Sequence, residues 1–307
     1  MKIFYHDLFT FPLPTEHRFP ISKYARLRER ILVANEIPPT SLLIPDAASD
    51  EQLALGHSRE YIERVKQGAL DEKEIRRMGF PWSPDLVERS RRSVGSSIAA
   101  CRAALKESAA VNLAGGTHHA GKGHGEGFCI FNDAAIAALV MLDERRAKQI
   151  LIIDTDVHQG NGTAEILHRH PGIFTFSIHG QNNFPFRKSE SDLDIGLPDG
   201  VEDDHYLKEL EKALGMIAAC FTPDLAIFIS GADPYSGDRL GRLQVSKQGL
   251  AQRDALVFAF AEQHNLPIAV AMGGGYAEVD DVVDIHYETV RQAFQFWMVR
   301  QQKRISS

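Results

Sequence analysis

Apolar runs recur along this chain at Lys2–Tyr5, Ala110–Ala114, Gln149–Asp154, Ile173–Ile178, Leu225–Ser230 and Pro267–Ala271. The run from Gln149 to Ile153 is continuously branched-aliphatic, the character of a strand covered on both faces. Helix-period patterns fill the intervals, at Lys23–Ala34, Pro84–Lys106, Asn132–Arg146, Asp204–Cys220, Ser246–His264 and Val282–Gln301. Strands alternating with helices predict an α/β fold, a mostly parallel sheet flanked by helices. No repeat, low-complexity tract or Pro/Gly linker divides the chain, so residues 1–307 are expected to form one domain, long enough to bury a single large core.

Four polar or glycine-rich clusters each follow one of these strands. Gly115-Gly116-Thr117-His118-His119-Ala120-Gly121 follows the Ala110 run, and Asp154 to Gly162 follows the Gln149 run. Ser230-Gly231-Ala232-Asp233-Pro234 and Met272-Gly273-Gly274-Gly275-Tyr276 follow the last two runs. Parallel strands would bring all four clusters to one rim, at the carboxyl ends where ligands of open α/β sheets collect.

Ile152-Ile153-Asp154-Thr155-Asp156-Val157-His158-Gln159-Gly160-Asn161-Gly162 is the most chemically informative stretch. Asp156 and His158 lie two apart and can share one divalent ion; with Asp233 they would supply two carboxylates and an imidazole, leaving a position open for water and substrate. An aspartate after a strand more often caps a loop, so either acid alone would be unremarkable. The adjacent His118 and His119 titrate near neutrality, as proton transfer to and from water and a leaving amine requires. Three glycines before Tyr276 permit close backbone approach to a ligand, and its phenol could donate to developing oxyanion charge.

Composition narrows the class. A formal charge of −7 and a pI near 6.0 argue against direct nucleic-acid binding, and as a bulk property slightly favour a cationic substrate. Cys101, Cys129 and Cys220 are odd in number and form no CxxC pair, so no disulfide framework is expected. With neither a secretory leader pattern nor an apolar run near ~18 residues, the expected setting is cytoplasmic, away from membranes.

GGTHHAGKGHGEGFCIFNDAA, ILIIDTDVHQGNGT, ISGADPYSGD and MGGGY, in that order, resemble the zinc-dependent histone deacetylase family. The resemblance runs from the amino-terminal segment to Tyr276. Phe80-Pro81-Trp82-Ser83 and Arg89-Ser90-Arg91-Arg92-Ser93-Val94-Gly95 look most like the bacterial and class IV-like members. It implies the three-layer arginase/deacetylase fold, with the active site at the carboxyl ends of the strands.

By motif position, the resemblance implies zinc on Asp156, His158 and Asp233, although iron(II) or cobalt(II) suits the same donors. It makes Tyr276 the group that polarises the acyl carbonyl and His118 and His119 the proton-transfer pair. Asp154 would support His118 beside a monovalent cation, K⁺, to which Ser177 contributes. Asn161 would support His119; many relatives have Asp there, and an amide orients a ring without adding charge. Gly127, Phe128, Phe184 and Gly274 would line an acyl tunnel, and Lys23 would stand near the acetate exit.

The implied reaction is hydrolysis of an N-acyl lysine-type amide in a peptide, a protein or a small acyl-amine such as an acylated polyamine. Absence of the long insert that narrows the mouth in polyamine-specific relatives favours the open, peptide-type site. Two rivals compete. A binuclear manganese hydrolase of the arginase kind would want acids where this chain has Gly160 and Tyr235. A catalytically silent acyl-lysine binder should have lost the ligands, the histidine pair or the tyrosine.

Overall fold

The computed structural model describes residues 1–306. Its centre is an eight-stranded, all-parallel sheet: β1 (Lys2–Phe4), β2 (Leu42–Leu43), β3 (Ala109–Asn112), β4 (Ile150–Asp154), β5 (Ile173–Gly180), β6 (Leu193–Leu197), β7 (Leu225–Gly231) and β8 (Ile268–Gly273). The spatial order is β2-β1-β3-β8-β7-β4-β5-β6. The inner strands β3, β4, β7 and β8 are buried throughout, in keeping with their predominantly apolar composition. From β4 the chain steps outward to β5 and β6, then returns to lay β7 on the other side of β4. This reversal opens a crevice at the β4/β7 carboxyl ends, where α/β sheets hold their ligands.

Ten α-helices surround the sheet among the described residues. They are α1 (Lys23–Ala34), α2 (Asp50–Leu53), α3 (Arg59–Gln67), α4 (Glu72–Met78), α5 (Pro84–Glu107), α6 (Asp133–Asp143), α7 (Asn161–Leu167), α8 (Asp203–Cys220), α9 (Lys247–Gln263) and α10 (Val279–Ser306). α5 packs on α6 and on β1, β3 and β8, while α10 packs on α1, α9 and β3. Among the described residues, no helix is long and apolar enough to cross a membrane.

All six apolar runs form strands and all six helical patterns form helices, with ends displaced by three residues or fewer except that the last helix continues past Gln301 to Ser306. The pattern reading omits β2 and β6, which are the two edges. β2 has only two residues, and the Leu-Asp-Ile-Gly-Leu of β6 is largely half-buried. It also omits α2, α3, α4 and α7, which are too short for periodicity to register. The caps of α2, α3 and α4 are nevertheless written in the sequence. Ser58 caps α3 and Gly68 closes it, and Asp71 forms a capping box with Glu74 before Gly79 ends α4.

Candidate active site

Beyond β4 the backbone leaves the strand through consecutive carboxylate-capped turns. Asp156 N donates to Asp154 Oδ1 at 3.1 Å, and His158 N donates to Asp156 Oδ1 at 2.9 Å. Asp233, beyond β7, accepts from Val157 N at 2.8 Å, which ties the two loops together. Asp156, His158 and Asp233 thereby converge, with one ligand atom from each within 4.8 Å of the others and all three side chains buried. No other trio of potential metal ligands gathers this closely among the described residues. Such closeness demands Gly274: its φ is +36°, and a methyl there would run into the Asp233 carboxylate.

The electrostatics of the trio call for a cation. His158 Nδ1 lies 3.0 Å from both Asp156 Oδ1 and Asp233 Oδ2. Burial alone would lower its pKa, but hydrogen bonds to the two carboxylates and their charges push it up to about 10. Asp233 is raised by burial and by the charge of Asp156. Burial would raise Asp156 too, but the charges of His118 and His158 and the His158 hydrogen bond hold it below the usual range. Two buried carboxylates and a convergent imidazole nitrogen suit a divalent metal, with the His158 proton standing where metal would bind.

His118 and His119 follow β3, their ring centroids 4.2 Å apart, but their partners differ. His118 Nδ1 lies 2.6 Å from Asp154 Oδ2. Despite the lowering effect of burial, the charges of Asp154 and Asp156 and this hydrogen bond hold His118 at about 9. His119 Nδ1 lies 2.6 Å from Asn161 Oδ1, on the first residue of α7. Burial and repulsion from His118 and His158 push His119 well below its ordinary value. Asn161 Nδ2 donates to Glu126 Oε2 at 3.1 Å, which turns its Oδ1 toward the ring. His119 therefore donates from Nδ1 and keeps its lone pair on Nε2.

Tyr276 ends the glycine turn after β8, its backbone N–H donating to Asp238 Oδ2 at 2.6 Å. Its ring sits 6.1 Å from His158, 5.9 Å from Phe128 and 6.2 Å from Phe19. Burial, then the charges of Asp156 and Asp233, raise the phenol well above 10, so it remains a donor at any physiological pH. Gly127, Phe128 and Phe184 line a cavity of about 700 Å³ together with His119, His158 and Tyr276. Phe184 stands edge-on to His119 at 5.0 Å.

Gly274 borders a smaller inner cavity that shares His119, Gly127, Phe128 and Tyr276 with the larger one. Its carbonyl accepts from Lys23 Nζ, and its backbone is pressed against Asp233. Lys23 is buried on the same inner cavity, where desolvation lowers its pKa to about 8 against the raising influence of Asp233 and Asp156. Ser177 pairs in register with Asp154 across β4 and β5, and its Oγ lies 2.9 Å from His179 Nδ1. Sequence reasoning did not single out Glu126 or Asp238. Both sit inside the motifs, as the acid before Gly127-Phe128 and the end of ISGADPYSGD, but their partners are 35 and 38 residues away.

An all-parallel sheet with a buried Asp-His-Asp trio at its switch point, beside a histidine pair and a tyrosine, places the chain in the arginase/deacetylase fold class. A solved histone deacetylase homologue complexed with SAHA superposes with a TM-score of 0.83 at 25% identity, over 96% of this chain and 83% of the other. The histone deacetylase domain family matches residues 17–291, and the chain belongs to that family, as a hydrolase of the deacetylase kind. It is 42% identical to an uncharacterised protein of Picosynechococcus sp., over 92% of this chain and 95% of the relative, in keeping with its likeness to bacterial members. Histone deacetylase 2 of Arabidopsis thaliana is 30% identical, over 85% of this chain and 70% of the relative.

Proposed function

We propose that residues 1–307 form one catalytic unit that hydrolyses an N-acyl lysine-type amide to free amine and carboxylate. The observation that carries this reading is the opposite displacement of two adjacent imidazoles beside a buried donor trio. Paired groups driven apart in proton affinity are how a site assigns acid and base roles at one pH. Asp156, His158 and Asp233 would hold zinc, with iron(II) or cobalt(II) able to use the same donors; the bound metal would polarise the acyl carbonyl and acidify water toward a pKa of ~7.

The acyl stem passes between Phe128 and Phe184, whose rings enclose methylenes without requiring charge. His119, neutral and with Nε2 unprotonated, takes a proton from the attacking water. His118 stays charged through Asp154, places positive charge near the developing oxyanion, and by repulsion keeps His119 neutral until attack. Tyr276 donates its O–H to that oxyanion. His119 then returns the proton to the departing amine, which balances the reaction. A monovalent cation of the K⁺ kind beside Asp154 and Ser177, and release of carboxylate past Lys23, extend the same reading.

The testing experiment is turnover of acetyl-, octanoyl- and myristoyl-lysine peptides and acetylated polyamines by chelated and zinc-restored protein. Turnover of an acyl-lysine peptide, lost on chelation and regained with zinc, is expected. Stoichiometric retention without turnover by metal-replete protein would make it a silent binder, and turnover of polyamines alone would move the substrate class.

Asn161 offers a second test. The Asn161→Asp, Glu126→Gln pair keeps both hydrogen bonds with their polarity reversed at the second, and places a carboxylate on His119 Nδ1. A neighbouring negative charge raises an imidazole pKa by about one unit or more. Because the base must be neutral, the acid limb of the kcat/KM profile is expected to move up in pH by that amount. An unmoved limb would remove His119 from the base role.

A further inference from the structure

The mouth of the active-site cavity is lined by Arg18, Arg76, Arg77 and Arg242 against only two acids, Glu16 and Glu126. Glu126 is engaged inward by Asn161 at 3.1 Å. Arg76 reaches Glu72 only at 3.7 Å, and Arg242 meets Asp199 at 3.3 Å, both as exposed pairs. Arg18 and Arg77 are exposed and make no ion pair among the described residues. Position in the last turn of α4 would account for Arg76 and Arg77 as helix-end cations. It does not account for Arg18, which precedes α1, or for Arg242, which follows β7. Three separate segments thus bring guanidinium groups to one opening, on a chain whose formal charge is −7.

Once acylated, a lysine side chain is neutral, so any charge selection at this opening must act on what surrounds it. We infer that the acyl-lysine substrate is presented in an acidic peptide segment, its flanking carboxylates meeting the arginines of the mouth. This rests on the deacylation reading above and reverses the substrate charge that bulk composition favours. Guanidinium groups bind carboxylates in a fixed fork, and a cleft lined by one sign of charge concentrates ligands of the other. Phe186, 84% exposed on the same mouth, adds an apolar surface suited to a peptide chain.

The test uses metal-replete protein and acetyl-lysine peptides of one length, flanked by Asp/Glu, by Ala/Ser or by Lys/Arg. At low salt kcat/KM for the acidic peptide is expected to exceed that for the basic one by about tenfold, and ~0.5 M salt should erase most of the difference. Arg18→Gln with Arg77→Gln should shrink the acidic-to-basic ratio about threefold or more. Equal rates, or a preference for the basic peptide, with the neutral peptide turned over would overturn the inference while leaving deacylation standing. If no peptide is turned over, the deacylation reading is what fails, and peptide affinities from fluorescence anisotropy still read the mouth. Equal Kd values for acidic and basic peptides would overturn the inference there as well.

Discussion

Tyr276→Phe is expected to lower kcat by about 10²–10³ with little change in KM or metal content, the loss typical of one oxyanion donor. The variant removes one oxygen and leaves the turn intact. Tyr276 is positioned through its backbone N–H on Asp238 and through ring contacts with Phe128 and Phe19, none of which needs the hydroxyl. Its phenol is also held protonated, by burial and by the Asp156 and Asp233 charges, so it acts as a donor rather than a nucleophile. Steady-state kinetics with metal analysis on the same samples decide the matter. A kcat within a few-fold of wild type would mean that the carbonyl oxygen develops its charge elsewhere.

Metal uptake should be coupled to proton release. In the metal-free trio His158, raised to about 10, is protonated at neutral pH, and that proton must leave before Nδ1 can bind a metal. Affinity is therefore expected to rise about tenfold per pH unit below 10, and more steeply where Asp233, also raised, retains a proton. Titration calorimetry in buffers of different ionisation heat should count about one proton released at pH 8. A pH-independent affinity would show that the metal uses other donors.

The sign for stability runs the other way in the metal-free protein. A histidine whose folded pKa is raised stabilises fully below its unfolded value of ~6.5, and that stabilisation is lost as pH climbs through about 10. The melting temperature of metal-free protein should fall across that window, and metal-loaded protein should be spared.

What was legible in the sequence was what depends on neighbours along the chain. Six largely apolar runs declared their strands because burial leaves few polar positions to interrupt them, whereas the edge strands β2 and β6 carry little such constraint. The pairing of Asp156 with His158 is likewise a matter of two residues' spacing, and the family motifs supplied Asp233. Tertiary structure decided the rest. Asp233 joins His158 from 75 residues away, and Glu126 orients Asn161 from 35 residues away.

Nor could the motif His118-His119 say which ring is held charged, because two identical side chains in sequence acquire opposite proton affinities only from what surrounds them. Asp154 and Asp156 raise one, while burial and its charged neighbours lower the other. The same holds at the mouth, where arginines from three segments meet on a chain that is acidic as a whole. Periodicity and turn chemistry act over a few residues and survive in a string of letters. Burial and Coulomb interactions act through space, and only the folded chain sets those distances.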